Sequence, residues 1–170
     1  MHGTGLLTAI NAICNGGTVV TLESPSLDAK EILRAIDQYK VNSITIVGDA
    51  FAQPILAELD RDPDGYDLKS LKSIISSGVI WSKESKIRLL EHIPQAILAD
   101  SFGSSEALGF GTSITSAEHS VATAKFITND YCKVFDEDDN EIPRGSKKAG
   151  FIAFGGPMPL GYFRDEKKTA

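Results

Sequence analysis

Residues 100–109, near the middle of the chain, combine side chains that could bind a nucleotide. The segment supplies an aromatic ring, two hydroxyls and a carboxylate, in the order Phe102, Ser104, Ser105 and Glu106. A ring can stack on a base, a hydroxyl can donate to a phosphate oxygen, and a carboxylate can bind Mg²⁺. The apolar run at residues 96–99 predicts a buried strand before it, and Gly103 permits a tight turn. Because ligands bind at the carboxyl ends of strands in open α/β sheets, the segment predicts a nucleotide site.

The elements that must position this segment follow from the hydrophobic pattern of the first two-thirds of the chain. Apolar runs predict strands at residues 18–22, 43–47, 71–76 and 96–99. Helical spacing predicts helices at residues 5–14, 32–39, 51–59 and 86–93. Ser26 and Ser82 are the predicted caps of the second and fourth helices, and Ile87, Leu90 and Ile93 are expected to face inward. Strands that alternate with helices predict parallel pairing through right-handed crossovers.

After Gly111 the pattern changes to short strands, predicted at residues 124–127, 131–135 and 150–154, with an acidic hairpin tip between the last two. We therefore expect a layered, mostly parallel α/β portion at residues 1–112, followed by a smaller antiparallel β-rich portion at residues 113–170. Together these portions are expected to form one incomplete domain, an internal part of a longer protein.

Composition excludes several classes of function. The 170 residues carry a formal net charge of −6 and a pI near 5.0, without a basic stripe, so a nucleic-acid partner is not expected. Cys14 and Cys132 lie far apart and predict reduced thiols. No apolar run reaches membrane-spanning length and the first residues lack a basic signal region, so a cytoplasmic protein is expected.

Four motifs in order resemble the AMP-forming acyl-CoA synthetases of the adenylate-forming superfamily. Residues 102–106 (Phe-Gly-Ser-Ser-Glu) resemble the family's aromatic-Gly-x-Thr/Ser-Glu motif. Residues 2–5 are similar to the end of its Pro-x-x-His-x-x-Gly segment, and residues 77–80 stand in the place of its Gly-Gly-Ala-Pro adenine loop. Residues 143–163 resemble the segment before its ribose-binding aspartate. The resemblance covers the chain from end to end.

The resemblance implies a role for each matched residue. Phe102 would stack on adenine, Ser105 would meet the α-phosphate, and Glu106 would hold Mg²⁺. The implied nucleotide-binding set is Gly78, Val79, Ile80, Asp100, Phe102, Gly103 and Ser105, and the implied acyl-pocket set is His2, Val47, Gly48 and Ala107. No complete catalytic set is expected within these residues.

The resemblance also implies the reaction of the parent protein: a carboxylic acid, ATP and coenzyme A give acyl-CoA, AMP and diphosphate through an acyl-adenylate. Val79-Ile80 replace the usual small residue and Pro, and Phe151 replaces a usual Glu. The segment at Gly48 also differs from the commoner Val-Pro wall, in a variant associated with fatty or steroid side-chain acids. Because the phosphate loop and the catalytic lysine of the family are not among these residues, the chain alone is expected to be inactive.

Alternatives to this interpretation remain open from the sequence. Phe102 could be a core aromatic, Glu106 a solvated acid and Ser105 a helix cap. The chain could be a non-catalytic nucleotide- or partner-binding module. Residues 103–107 also faintly resemble the Gly-x-Ser-x-Gly elbow of serine hydrolases, although Ala107 replaces the last Gly. Exposed apolar edges would permit association of copies.

Overall fold

A computed structural model describes residues 3–104, 106–107, 109–119, 125–157 and 159–169. These residues form two compact units, the first within residues 1–101 and 113–126 and the second within residues 102–112 and 127–170. The predicted boundary lies after residue 112. In the structure, residues 102–112 instead belong to the second unit and residues 113–126 to the first. The predicted division into functional portions therefore stays a prediction.

The main sheet has five strands, β1 (Ser43–Ile46), β2 (Ser73–Ser77), β3 (Ile97–Phe102), β4 (Gly111–Thr115) and β5 (Ile127–Thr128), which neighbour one another in chain order. β1 pairs with β2 and β2 pairs with β3 in parallel, whereas β5 pairs antiparallel with the start of β4. The parallel pairs are joined by helical crossovers, as parallel strands require. The predicted mostly parallel α/β fold is confirmed.

Four helices accompany this sheet: α1 (Gly3–Cys14), α2 (Ala29–Tyr39), α3 (Gly48–Arg61) and α4 (Lys83–His92). The last three pack their apolar faces on the sheet, and α3 lies against both α2 and α4. The largest fully buried core side chains come from helices, strands and the loops between them: Leu33, Ile36, Ile46, Leu56, Leu59, Leu71, Ile74, Trp81, Leu89, Ile93 and Leu98. The core therefore lies between the sheet and one layer of helices.

Two predicted details of these helices are wrong and one is confirmed. Asp28 caps α2 instead of Ser26, because its carboxylate accepts hydrogen bonds from the backbone N of residues 30 and 31. Ile87 is 42% exposed, and Leu89 is buried in its place. The predicted cap at Ser82 is confirmed, since its Oγ accepts a hydrogen bond from the Ser85 N at 3.2 Å.

The predicted strand at residues 18–22 is also wrong. This segment follows α1 and pairs with no strand in the described part of the chain, and Val19 and Leu22 are exposed. β-branched residues favour a pleated surface only where a neighbouring strand offers one. In addition, α3 begins at Gly48, before the predicted helix start at residue 51.

The second unit contains the antiparallel pair β6 (Cys132–Phe135) and β7 (Phe151–Phe154), and a short terminal helix, α5 (Glu166–Thr169). Asp136 closes the acidic turn after β6, because its Oδ1 accepts hydrogen bonds from the backbone N of Asp138 and Asn140. The predicted antiparallel portion is confirmed. Of the predicted strand at residues 124–127, residue 124 lies outside the described residues, and the described strand starts at Ile127.

Helices that could cross a membrane are absent from the residues that the structure describes.

Candidate functional site

The two loops predicted to bind adenine begin at neighbouring strand ends. In the parallel pairing of β2 with β3, Ser76 is opposite Asp100 and Ser77 is opposite Ser101. The chain leaves β2 into Gly78 directly after Ser77, and it continues into Phe102 directly after Ser101. Within the first unit, the sheet register therefore places Ser77 and Ser101, the residues that precede the two motifs, side by side.

Gly48 lies against the loop after β2. Its φ is +51°, its backbone N donates a 3.0 Å hydrogen bond to Ser76 Oγ, and the residue is buried. A Cβ at this position would collide with the Val79 side chain and lie 2.9 Å from the Ile80 carbonyl oxygen. The structure thus brings together a predicted acyl-pocket residue and two predicted adenine-loop residues. Val47, the residue before it, is half-buried.

A second contact holds the same loop from its far end. Asp49 Oδ1 accepts hydrogen bonds from the backbone N and the Oγ of Ser82, at 3.2 and 3.1 Å. Gln53 Nε2 donates to Ser85 Oγ at 2.8 Å, which joins the second turn of α3 to the first turn of α4. The loop at residues 78–81 is therefore fixed at both ends, while Gly78 takes up the turn with φ +94°. Asp49 was not among the site residues predicted from the sequence.

Val79 and Ile80 are 51% and 77% exposed. Because hydrogen bonds fix this loop, the side chains of Val79 and Ile80 form an ordered apolar surface and are not part of the core. Such exposed apolar residues beside the carboxyl ends of parallel strands suit a ligand with an apolar part.

Asp100 forms a buried ion pair. Its Oδ2 lies 3.0 Å from Lys86 Nζ, and both side chains are almost completely buried. Lys86 Nζ also lies 5.3 Å from the centre of the Trp81 ring. A nucleotide contact by Asp100 stays a prediction, and in the structure this carboxylate is bound by a lysine that sequence analysis did not single out.

In the second unit, Phe102 belongs to a group of aromatic rings. Phe102 and Phe110 are stacked, with ring centroids 5.6 Å apart. Phe110 meets Phe154 edge-on at 5.4 Å, and Phe154 contacts Tyr131 at 6.1 Å. Phe102 is half-buried, so its ring packs against Phe110 without being enclosed in a core.

The loop after Phe102 closes on itself. The Ser104 N donates to the Ala107 carbonyl at 3.0 Å, and the Ala107 N donates to Ser104 Oγ at 3.1 Å. Gly103 is exposed and Ala107 is buried. This closed turn presents the intervening Glu106 side chain to solvent.

Glu106 is exposed, and its Oε1 accepts a hydrogen bond from the Tyr162 hydroxyl within the same unit. In the described ranges, no group of three or more His, Cys, Asp or Glu side chains could hold a metal ion. A single carboxylate still fits Mg²⁺, because this ion keeps several waters and is commonly held by one or two carboxylates together with substrate phosphates. The donor at Glu106 therefore suits a metal that arrives with a nucleotide.

His2 and Ser105, both predicted site residues, lie outside the described residues. A surface depression of about 390 Å³ lies elsewhere in the first unit, lined by Arg34, Asp37, Gln38, Asp62, Gly65 and Tyr66. Since none of these lining residues was a predicted site residue, the loops after β1 and β2 remain the candidate site of this unit.

Comparison with known proteins decides the family. The sequence profile described as AMP-binding enzyme matches residues 1–163. The chain belongs to the AMP-binding enzyme family. This membership confirms the resemblance inferred from the four motifs, and it does not agree with the serine hydrolase alternative.

Two relatives of this AMP-binding chain are named as ligases. A medium/long-chain-fatty-acid–CoA/3-oxocholest-4-en-26-oate–CoA ligase of Mycobacterium marinum is 40% identical over 171 residues, which cover 100% of this chain and 30% of the relative. A 3-oxocholest-4-en-26-oate–CoA ligase of Rhodococcus rhodochrous is 36% identical over 174 residues, which cover 99% of this chain and 31% of the relative. The chain thus spans about 30% of the length of these relatives.

Solved structures support the fold. PA1221, a nonribosomal peptide synthetase protein with adenylation and carrier domains, matches with a TM-score of 0.72 at 25% identity over 94% of this chain and 32% of its own. The nonribosomal peptide synthetase FmoA3 matches with a TM-score of 0.78 at 18% identity over 98% of this chain and 18% of its own. The AMP-binding chain therefore has the fold of the corresponding part of these synthetases.

Proposed function

We propose that this AMP-binding chain forms the nucleotide-facing part of an ATP-dependent acyl-CoA synthetase. The parent protein would join a carboxylic acid to coenzyme A, with ATP converted to AMP and diphosphate through an acyl-adenylate. The observation that carries the proposal is the register of β2 with β3, which starts the Gly78 loop and the Phe102 loop at neighbouring strand ends. Ligand binding at the carboxyl ends of parallel strands is the general rule for such sheets.

In the proposed mechanism the chain binds and orients ATP. Phe102 stacks on adenine, the loop Gly78-Val79-Ile80 lies beside the base, and Ser105 contacts the α-phosphate. Mg²⁺, when bound, neutralises phosphate charge, and Glu106 is the residue that would hold it. The acid carboxylate then attacks the α-phosphorus and diphosphate leaves, after which the thiol of coenzyme A displaces AMP. Orientation and charge stabilisation dominate such transfers.

The acid is proposed to be a medium- or long-chain fatty acid or a steroid side-chain acid. The names of the Mycobacterium and Rhodococcus relatives support this class. The contact of Gly48 with Val79 and Ile80 supports it further, because it places an apolar exposed surface next to the predicted acyl-pocket residues. A cytoplasmic location, the use of coenzyme A and the binding of Mg²⁺ belong to the same proposal.

The 170-residue polypeptide alone is proposed to bind nucleotide without turnover. The resemblance places a Ser/Thr/Gly-rich phosphate loop and a catalytic lysine in segments that these residues do not include. Those groups would stabilise the charge that develops on diphosphate, so acyl-CoA formation no greater than that of a Glu106→Ala control is expected. Turnover well above that control would refute this part of the proposal.

The decisive experiment is calorimetric titration of the chain with a nonhydrolysable acyl-adenylate mimic. Phe102→Ala should abolish binding, and Tyr39→Ala, which removes an exposed ring outside the predicted site, should leave it unchanged. Equal binding by the wild type and by Phe102→Ala would show that the adenine site lies elsewhere. Absence of binding by the wild type would refute nucleotide binding by this polypeptide.

Association of copies is proposed through the apolar surface of α1, where four large side chains are exposed: Leu6, Leu7, Ile10 and Ile13. Contiguous exposed apolar residues favour association because it removes them from water. Light scattering after size exclusion should show a mass above 18.3 kDa, and Ile10→Lys with Ile13→Lys should restore that monomer mass.

A further inference from the structure

The buried ion pair of Lys86 with Asp100 is not used by the proposed mechanism. Lys86 lies in the first turn of α4 and Asp100 in β3, with Nζ and Oδ2 3.0 Å apart and side-chain exposures of 4% and 7%. Removing two charges from water is costly, and a well-packed apolar pair at such a position is commonly as stable or more stable. A contribution to stability is therefore a poor explanation for the presence of these charges.

Lys86 also contacts the end of the predicted adenine loop. Trp81 follows Ile80 directly, is fully buried, and has the Lys86 ammonium 5.3 Å from its ring centre. Its Nε1 has no hydrogen-bond partner among the described residues. The position of Trp81 is therefore set by packing and by the attraction between the cation and the ring.

Within the first unit, one ammonium group thus contacts both the end of the Gly78 loop and β3. On one side it meets Trp81, the residue that ends the Gly78 loop. On the other side it binds Asp100, which precedes the Phe102 loop in the chain. A charge-assisted hydrogen bond has a preferred length and direction, whereas an apolar contact tolerates sliding. The pair can therefore fix the relative position of the Trp81 backbone and the end of β3.

We propose that Lys86 and Asp100 are positioning residues for nucleotide binding, which hold the loop that ends at Trp81 in register with the end of β3. The proposal rests on the proposed function, because it assigns the pair to the same nucleotide site. This positioning role is separate from the nucleotide contact predicted for Asp100, and it requires no contact between Lys86 and the nucleotide.

The test replaces both charges at once, since leaving one charge buried without its partner is strongly destabilising. Lys86→Met with Asp100→Val should unfold in urea at a midpoint equal to or above that of the wild type. Its dissociation constant for the acyl-adenylate mimic should nevertheless rise by about tenfold or more. Acrylamide should quench the fluorescence of Trp81, the single tryptophan of the chain, more strongly in this variant.

Three further variants complete the comparison. Lys86→Arg keeps the charge pair and should bind the mimic nearly as the wild type does. Lys40→Met with Asp67→Val removes an exposed pair of the same unit, with 3.1 Å between its charged atoms, and should change neither binding nor quenching. Lys86→Gln with Asp100→Asn replaces the first double variant if that protein does not fold.

The outcomes separate this inference from the proposed function. Wild-type binding of the mimic together with unchanged binding and quenching in a folded double variant would overturn the positioning role. Failure of both double variants at Lys86 and Asp100 to fold would also overturn it, because the pair would then be required for stability. If the wild type did not bind the mimic, the proposed nucleotide binding by this polypeptide would fail, and Trp81 quenching would still decide whether the pair positions the loop.

Discussion

Phe102 and Phe110 are stacked with their ring planes 12° apart, so the ring predicted to contact adenine rests on a second phenylalanine. Phe110 is held in turn by an edge-on contact with Phe154, with an interplanar angle of 77°. Each such aromatic contact contributes about 0.5–1.5 kcal/mol beyond burial of surface. The plane of the Phe102 ring is therefore set before any ligand arrives.

Substitution of Phe110 should weaken nucleotide binding without touching the predicted contact residue. Phe110→Leu removes the stacked partner of Phe102, and we expect the dissociation constant of the acyl-adenylate mimic to rise by about 2- to 12-fold, the equivalent of one aromatic contact. Phe110→Tyr should retain most of the affinity, since it keeps the ring. Calorimetry on both variants tests this expectation, with Phe151→Leu, a change at an exposed ring, as the control. Equal affinities for Phe110→Leu and the wild type would contradict it.

Substitution of Gly48 should be costly for two separable reasons. An alanine would adopt the left-handed backbone region, and its Cβ would also collide with Val79 and crowd the Ile80 carbonyl. We expect Gly48→Ala to lower the free energy of unfolding by about 1–3 kcal/mol from backbone strain, and by more once the collision is added. Urea denaturation measures the sum.

Gly16→Ala is the matched control for this prediction. Gly16 has a φ of +76° but no described neighbour within 4 Å of an added Cβ, so it reports the backbone cost alone. The difference between the two variants should then equal the cost of the collision. If Gly48→Ala were no more destabilising than Gly16→Ala, the close approach of Gly48 to the loop after β2 would make no measurable difference to the free energy of unfolding.

Removal of the Asp49 carboxylate should loosen the predicted adenine loop. Asp49→Ala deletes both hydrogen bonds to Ser82, and bonds to a charged acceptor contribute about 1.5–3 kcal/mol. We therefore expect faster hydrogen exchange at the backbone amides of residues 79–82, measured by mass spectrometry. Asp64→Ala, in the exposed loop after α3, should leave that exchange unchanged. Unaltered exchange in Asp49→Ala would show that the loop is held by other contacts.

The stability of the first unit should depend on Glu58 in acid. Hydrogen bonds from Arg61 and then Tyr66 lower the pKa of Glu58 from its ordinary value of 4.5 to about 2. Because the folded-state pKa is the lower one, the contribution of Glu58 is present above pH 4.5 and is lost as the pH falls towards 2. Glu58→Gln should therefore reduce the loss of unfolding free energy between these values.

Urea titrations at several values of pH between 2 and 6 would test this, with Glu91→Gln, at an exposed position on α4, as the control. The control should keep the acid dependence of the wild type. If the stability of Glu58→Gln fell with decreasing pH as steeply as that of the wild type, the loss of unfolding free energy in acid would come from other carboxylates.

Local patterns in the sequence were sufficient for the order and type of most elements. The alternation of strands and helices, the cap at Ser82 and the strand that leads into Phe102 all depend on periodicity and on side chains within one turn of the chain. Prediction failed where two local signals competed, as for Ser26 and Asp28 at the start of α2. It also failed at residues 18–22, where strand-forming residues lacked a paired neighbour in the described part of the chain.

The sequence by itself therefore determined the α/β fold class, the family and the segment that carries the nucleotide motif. These features depend only on hydrophobic periodicity and on residues that are adjacent in the chain. The tertiary structure alone decided which distant groups meet. Lys86 with Asp100 and Gly48 with Val79 are pairs that depend on strand register and on helix packing. Spacing along a chain specifies which face a residue occupies, but the partner on that face is selected only when the elements pack.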